Sequence, residues 1–500
     1  MAERVDERLM VSEKLAPVLV TTKVLGSFDL LVIFIGIVLF INNSAALATN
    51  GPSMFIIWAL AFLTFLIPGN IVTAHLGRMF PEEGSIYIWT QKALGPFWGF
   101  FAGFVAWWPG IFGMVFAAAL VTFYLQFVCD GECLTEPWQA GLVILAVLWF
   151  SAYLSILRQR VSQNYVNVVT VFYASAIFVM GLAGVVWLLD GNPSVTSFAS
   201  ENWDPFVYSN YTAFSFAVLA LLGIEVPLNM GVEIKEEKSI KYYLFWGAIV
   251  VIAAYVWTTW ANMVVVGNPE GYDFTTGGPL GVSLAIGEGL GKAVALVLVW
   301  FFLSNCAIYN YSFARLLFVS GLEKRLPAQI GKVNKNKVPA NAVIMNTVLA
   351  SLIAVLCYFV FGELTNQDVF VPFYALYAGV TVIWCTSMVL LFADIFFLRR
   401  THPRKFEDAR RLPLGFLYAC AIVGLLANVL AAVWIFTGTW YAGGFETVSE
   451  WNAWVIPIVV VSAIAGILIY VISERTRAGK TDEELLAEVT AETRGGGGGG

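Results

Sequence analysis

The chain has 500 residues, of which 59% are hydrophobic and only 12% charged, with a formal net charge of −6. This excludes a water-soluble globular protein, whose surface needs roughly a quarter of its residues charged. The modest negative charge reflects which way the loops face and implies no nucleic-acid partner.

In chain order, the opening MAERVDERLMVSEK lacks the apolar core and cleavage pattern of a signal peptide. Residues 1–23 therefore read as a cytoplasmic N-terminal tail. Twelve apolar segments follow, each long enough to span a bilayer. They run over 24–48, 53–76, 97–128, 138–157, 162–189, 211–233, 243–266, 291–320, 340–361, 369–398, 413–437 and 453–473. The expected fold class is all-α integral membrane with 12 transmembrane helices, in a single transporter domain, 24–473. Several segments exceed twenty residues, which implies tilt or breaks. Residues 82–95 are too polar to span and read as an interfacial helix with Tyr87 and Trp89 at headgroup level. Residues 274–290, Gly-rich and mildly apolar, read as an outer lid. Residues 474–500 form a C-terminal cytoplasmic tail, helical over 479–494 and ending in six structureless glycines.

The basic residues orient the bundle. Of 28 Lys and Arg, only Lys292 falls on the side that carries the acidic loop residues Asp130, Glu132, Glu136, Asp190, Glu201, Asp204, Asp273 and Glu446. The positive-inside rule puts both termini in the cytoplasm of a cell-membrane protein. Arg315 is counted with the loop between the eighth and ninth segments, so the membrane core is expected to hold no Lys or Arg. Cys129 and Cys133 bracket an outer loop as either a disulfide or two free thiols. The other four cysteines lie in segments as small core residues. With two histidines in all, His75 and His402, there is no metal-ligand spacing and no nucleophile–base pair. No catalytic residue, metal or cofactor is expected, and the chain does not read as an enzyme.

The sixth segment carries Gly223-Ile-Glu-Val-Pro227. Pro227 has no N–H for the Gly223 carbonyl, and Gly223 and Gly231 weaken the adjoining turns, so the helix should break. Gly223 lies about 18 Å from Tyr211 and from Lys235 at helical rise, near the midplane. An acid at that depth, Glu225, is functional by default. The first segment offers a counterpart: Gly36, about 20 Å from Lys23, precedes Ile37 and the polar run Asn42-Asn43-Ser44. The asparagines mark either a second break or the outer end of an intact helix. Unusual stretches at matching places point to a five-plus-five inverted repeat, 24–189 and 211–398, with extra helices over 413–473.

Three passages then resemble the amino acid–polyamine–organocation transporters. The first is Leu76-Gly-Arg-Met-Phe-Pro-Glu-Glu-Gly-Ser-Ile-Tyr-Ile-Trp89 with Gly95-Pro-Phe-Trp-Gly-Phe100. The second is Gly223-Ile-Glu225 with Glu233-Ile-Lys235. The third runs from Tyr311-Ser-Phe-Ala-Arg315 through Leu326-Pro327 to Val338-Pro-Ala-Asn341. The resemblance implies a LeuT-type fold with discontinuous helices 1 and 6. The chain departs from the family pattern at three places. Only Gly36 remains of the first-span glycine run, His75 replaces a usual Glu, and the fifth segment lacks the Lys that some proton-coupled members place there.

The resulting expectation is a secondary transporter in the lipid bilayer, moving amino acids or related amines by alternating access, with exchange or proton coupling. The alternatives are a polyamine or small organocation transporter and, in another class, a membrane amino-acid sensor. The candidate substrate-binding residues are Gly36, Ile37, Asn42, Asn43, Ser44, Trp107, Gly223, Ile224, Glu225, Asn229, Ser304 and Asn305, with Glu225 as the proton-coupling group. Ser304, Asn305, Tyr309 and Asn310 form a polar cluster that suits either a site or interhelical packing. Tyr374 and Tyr377 are candidate gate residues. Asp29 is expected to reach the membrane interface or to cap a helix, and Asp394 to lie at the interface.

Overall fold

In hydrocarbon, backbone polar groups must find partners within the protein, and this chain meets that demand with helices. The computed structural model describes residues 9–207, 209–268, 274–364, 370–440, 444–477 and 480–494. The opening residues 1–8, Asp273 and the terminal glycines lie outside the described residues. The helices in order are α1 Val11–Leu19, α2 Ser27–Val38, α3 Asn42–Ala48, α4 Ser53–Ala61, α5 Ile67–Met79, α6 Ser85–Leu94 and α7 Pro96–Val128. Next come α8 Pro137–Ile156, α9 Gln159–Leu189, α10 Ser209–Leu219, α11 Lys238–Val265, α12 Gly277–Ala285 and α13 Glu288–Leu322. The last are α14 Ala340–Val355, α15 Phe370–Thr401, α16 Pro403–Ala409, α17 Leu414–Trp434, α18 Val448–Arg477 and α19 Asp482–Arg494. A π turn over Phe62–Leu66 joins α4 to α5.

Among the described residues, eleven helical stretches are long and apolar enough to cross a membrane. The sixth expected segment is not one of them. α10 stops at Leu219, and the chain continues to Glu233 in turns, with short 3-10 pieces at Val226–Asn229 and Gly231–Glu233. Pro227 and the glycines leave no run of α-helical bonds long enough to count as a span.

α7 and α13 pack as the central pair. Gly110 and Gly113 of α7 lie against the rings of Phe313 and Tyr309 with no room for a methyl, so the two backbones approach closely. α2 lies inside the bundle, buried from Asp29 through Val38. The apolar side chains Phe172, Phe178, Phe245, Val461 and Ile472 are exposed on α9, α11 and α18, as a lipid-facing surface requires. α12, in the expected lid region, packs on α13 and α9. Cys129 and Cys133 form a disulfide.

Three placements differ from the sequence reading. Tyr87 and Trp89 are fully buried, and Trp89 Nε1 donates to Phe80 O at 2.9 Å. Here α6 is roofed by protein rather than by headgroups. Asp394 is buried against α6, accepting from Thr90 Oγ1 at 2.7 Å. Asp29 takes the capping alternative, buried where it accepts from Gly26 N–H at 2.8 Å and pairs with Arg160 at 2.8 Å. Arg315 is fully buried within α13 rather than in a loop, because two glutamates come to it.

At the basic end, Val24 and Leu25 N–H donate to Glu233 O at 2.8 and 2.9 Å, and Lys235 N–H returns to Leu25 O at 2.9 Å. Gly84, at φ +85°, donates its N–H to Asn229 O at 2.9 Å. Gly231 sits directly against the carbonyls of Pro81 and Glu82. Gly231→Ala is expected to cost about 1–3 kcal/mol, because rigid backbone must move. The thermal unfolding midpoint in detergent should fall by several degrees. Gly415→Ala, which meets nothing within 4 Å, should not lower it. Equal midpoints for the two variants would contradict this packing.

Candidate functional site

The last four carbonyls of a helix have no partner within it. For α2 these are Gly36, Ile37, Val38 and Leu39, and each is met by a side chain from another helix. Asn305 Nδ2 donates to Gly36 O, and Tyr309 OH to Ile37 O at 3.2 Å, both from α13. Tyr255 OH of α11 donates to Val38 O at 2.9 Å, and Tyr173 OH of α9 to Leu39 O at 2.7 Å. The same two phenol oxygens accept the N–H groups of Phe40 and Ile41, each at 3.2 Å. Leu39 has left the helix at φ −106°, ψ 80°, and α3 resumes at Asn42. No proline or glycine at 39–41 forces this exit. Distant hydroxyls stabilise it instead.

The sixth segment opens alongside. Tyr255 OH also lies 3.1 Å from Ala220 O. It lies 3.5 Å from Phe40 O as well, and a phenol has one proton, so it serves one of these three carbonyls at any moment. Gly223 takes φ +96° with its Cα packed against Ile37 and Trp384. Its carbonyl, stripped of an α-helical partner by Pro227, accepts Val226 N–H in a tight turn at 3.1 Å. Glu225 is buried, and its Oε2 has no hydrogen-bond partner among the described residues. Tyr243 OH reaches Ile224 O at 3.4 Å.

Between the two segments lies a small enclosed cavity, lined by Ile37, Phe40, Asn43, Ala220, Tyr309, Tyr377, Thr381 and Trp384 among others. Tyr377 stacks on Phe116 of α7 with centroids 4.4 Å apart. Of the sequence candidates, Ile37 and Asn43 line this space, Gly36 and Asn305 are bonded to each other beside Ile37, and Gly223, Ile224 and Glu225 form the adjoining turn. Asn42 Nδ2 donates to Asn43 Oδ1 at 3.3 Å, and Ser44 Oγ to Ile41 O at 2.6 Å. Three candidates lie elsewhere. Trp107 donates to Asn346 Oδ1 at 2.9 Å and borders a separate space with Leu316 and Ile469. Asn229 accepts from Ser85 Oγ at 2.6 Å near the basic end. Ser304 bonds its own helix at Trp300 O, 2.8 Å. No group of three or more metal-ligating side chains occurs among the described residues.

Sequence reasoning missed Tyr173, Tyr255, Thr381 and Trp384. The first two had a readable signal: a tyrosine in mid-span must find a hydrogen-bond partner away from water.

The apolar helices define a multi-pass membrane protein, with a small cavity between its interrupted inner segments. The chain belongs to the amino acid permease family, whose sequence model matches residues 25–464. It is 23% identical to an uncharacterized transporter of Legionella pneumophila over 393 residues, covering 71% of this chain and 80% of the relative. It is 24% identical over 376 residues to a probable agmatine/putrescine antiporter of Lactococcus lactis, covering 73% and 78%. A D-serine/D-alanine/glycine transporter of Escherichia coli is 23% identical over 423 residues, covering 79% and 84%. The protein is a membrane transporter.

Tyr255→Phe strips one hydroxyl from four buried backbone groups. It is expected to destabilise the detergent-purified protein by about 1–3 kcal/mol. Tyr153→Phe, on an exposed ring, should change stability by less than about 0.5 kcal/mol. Equal thermal midpoints for the two variants would remove the hydroxyl from this role.

Proposed function

We propose that this transporter moves amino acids or small organic amines by alternating access, with segments 36–44 and 223–231 as the two halves of one site. The carrying observation is the clasp on α2, four carbonyls held by side chains of α9, α11 and α13. Such a clasp exposes backbone polarity at mid-bundle without leaving it unsatisfied. In this reading the chain crosses a cell membrane twelve times. Repeats 24–189 and 211–398 are inverted copies of LeuT type, and both termini lie in the cytoplasm, on the side of the basic residues.

The site's chemistry favours an ammonium-bearing solute. The cavity offers the aromatic faces of Tyr309, Tyr377 and Trp384 and no Lys or Arg among its lining residues, and aromatic faces attract cations. Glu225, one turn away, supplies a carboxylate. D-serine, D-alanine, glycine, agmatine and putrescine, the solutes named for two of the similar proteins, all carry an ammonium group. Glu225 is the group we assign to proton coupling, and Asn43, Ile37, Gly223 and Ile224 to substrate contact.

Counterflow in proteoliposomes tests this. Vesicles preloaded with unlabelled amino acids and amines should accumulate a matching external label. Absence of uptake across the panel by folded protein would overturn the reading. Glu225→Gln should keep counterflow but lose uphill accumulation driven by a pH gradient. Unchanged gradient-driven accumulation would remove Glu225 from coupling.

A further inference from the structure

We propose that Glu83, Arg315 and Glu233 form a lock that closes the basic end of the transport path, and that a single proton shared by the two carboxyls favours the locked form. The proposal rests on the transporter reading for its meaning, but its test does not.

The lock joins the elements that alternating access must separate. Glu83 lies in the loop between α5 and α6, Arg315 in α13, and Glu233 in the turn that continues the sixth segment. Glu233 O in turn holds the stretch before α2 through the N–H groups of Val24 and Leu25. One guanidinium thus ties α13, the loop before α6 and the basic ends of both interrupted segments. Arg315 Nε lies 3.2 Å from Glu83 Oε1, and Nη2 pairs with Glu233 Oε1. All three side chains are 1% exposed.

This cluster is incompletely satisfied. Arg315 Nη1 and Glu233 Oε2 have no hydrogen-bond partner among the described residues. A dry ion cluster with spare donors and acceptors holds less firmly than a saturated one, and water regained on separation offsets part of the lost attraction. The arrangement therefore suits two states, closed and dry or open and hydrated.

Two carboxyls face one guanidinium, so full ionisation leaves one buried negative charge. Burial pushes Glu83 up to about 8, against the pull of Arg315 and reinforced by the charge on Glu233. The other groups nearby are few. The Tyr311 phenol on α13 donates to Gln163 at 3.0 Å, and Gln163 with Asn167 and Arg160 serves Asp29. Glu82 faces the rim with Glu13, Lys92 and Lys405. Lys23 and Lys235 are exposed.

The sign follows from linkage. Once hydrated, Glu83 returns to the ordinary carboxyl range, so the locked form binds the proton more tightly. Locking is fully favoured below that ordinary range and fades as pH rises through about 8. The proton enters and leaves on the same side, so it regulates opening and adds nothing to transport stoichiometry.

The test uses the full chain in vesicles with known orientation, the basic side stepped from pH 5 to 8.5 and the other side held constant. A cysteine replacing Leu228, buried between Glu225 and Glu233 in the chain, reports opening through a membrane-impermeant thiol reagent applied to the basic side. Labelling is divided at each pH by the rate of a small free thiol, since thiolate formation alone speeds the reaction. The corrected labelling should rise with pH, by up to about tenfold per unit at its steepest, and exchange should rise with it. In Glu83→Gln both should stay slow and flat, while Glu82→Gln should keep the wild-type slope. Labelling independent of pH, an unchanged slope in Glu83→Gln, or a slope lost only in Glu82→Gln would each overturn the lock. Labelling that rises with pH without any exchange would leave the lock standing and overturn the transporter reading instead.

Discussion

A buried backbone carbonyl or N–H away from water must find a protein partner, at a cost of several kcal/mol if it does not. That constraint organises this molecule. A continuous helix meets it locally, while an interrupted one transfers the demand to its neighbours. At the end of α2 the demand falls on Asn305, Tyr309, Tyr255 and Tyr173, which belong to three different helices. The interruption is a joint where α9, α11 and α13 meet α2, and Tyr255 extends it to the sixth segment through Ala220 O.

The same two inner segments are gripped a second time, by charge. Near the cavity they are held by neutral hydroxyls and amides. At the basic end they converge on Arg315, whose two glutamates come from separate parts of the chain. Hydroxyl bonds exchange partners cheaply, as Tyr255 shows with three carbonyls in reach. A buried ion cluster is more nearly all-or-none, because it is stable dry and closed or wet and open but costly between. The division places an adaptable clasp beside the cavity and a switch-like closure at the end of the path.

The sequence disclosed what local chemistry dictates. Pro227, Gly223 and Gly231 announce a broken segment because a missing N–H and a free φ act on their own neighbours. Long apolar runs announce helices for the same reason. The exit of α2 at Leu39 was only half legible: Asn42 and Asn43 hinted at it, but its partners lie 132 to 272 positions away. Trp107, Asn229 and Ser304 are polar-capable residues in plausible segments, yet side-chain direction sends each to a different neighbour. Charge counting placed Arg315 in a loop, since it assumes that basic residues seek water. It cannot anticipate two acids arriving from distant segments. Likewise, the amphipathic look of Tyr87 and Trp89 suggested lipid headgroups, where protein covers them instead.

The central claim is that the solute binds between the two interrupted segments. The most direct measurement is a structure of the purified transporter with a solute it carries. The account predicts ligand density within the space bounded by Phe40, Asn43, Tyr309, Tyr377 and Trp384, with its ammonium toward an aromatic face or Glu225. Density for a transported solute at any other place, with this cavity unchanged and empty, would contradict it.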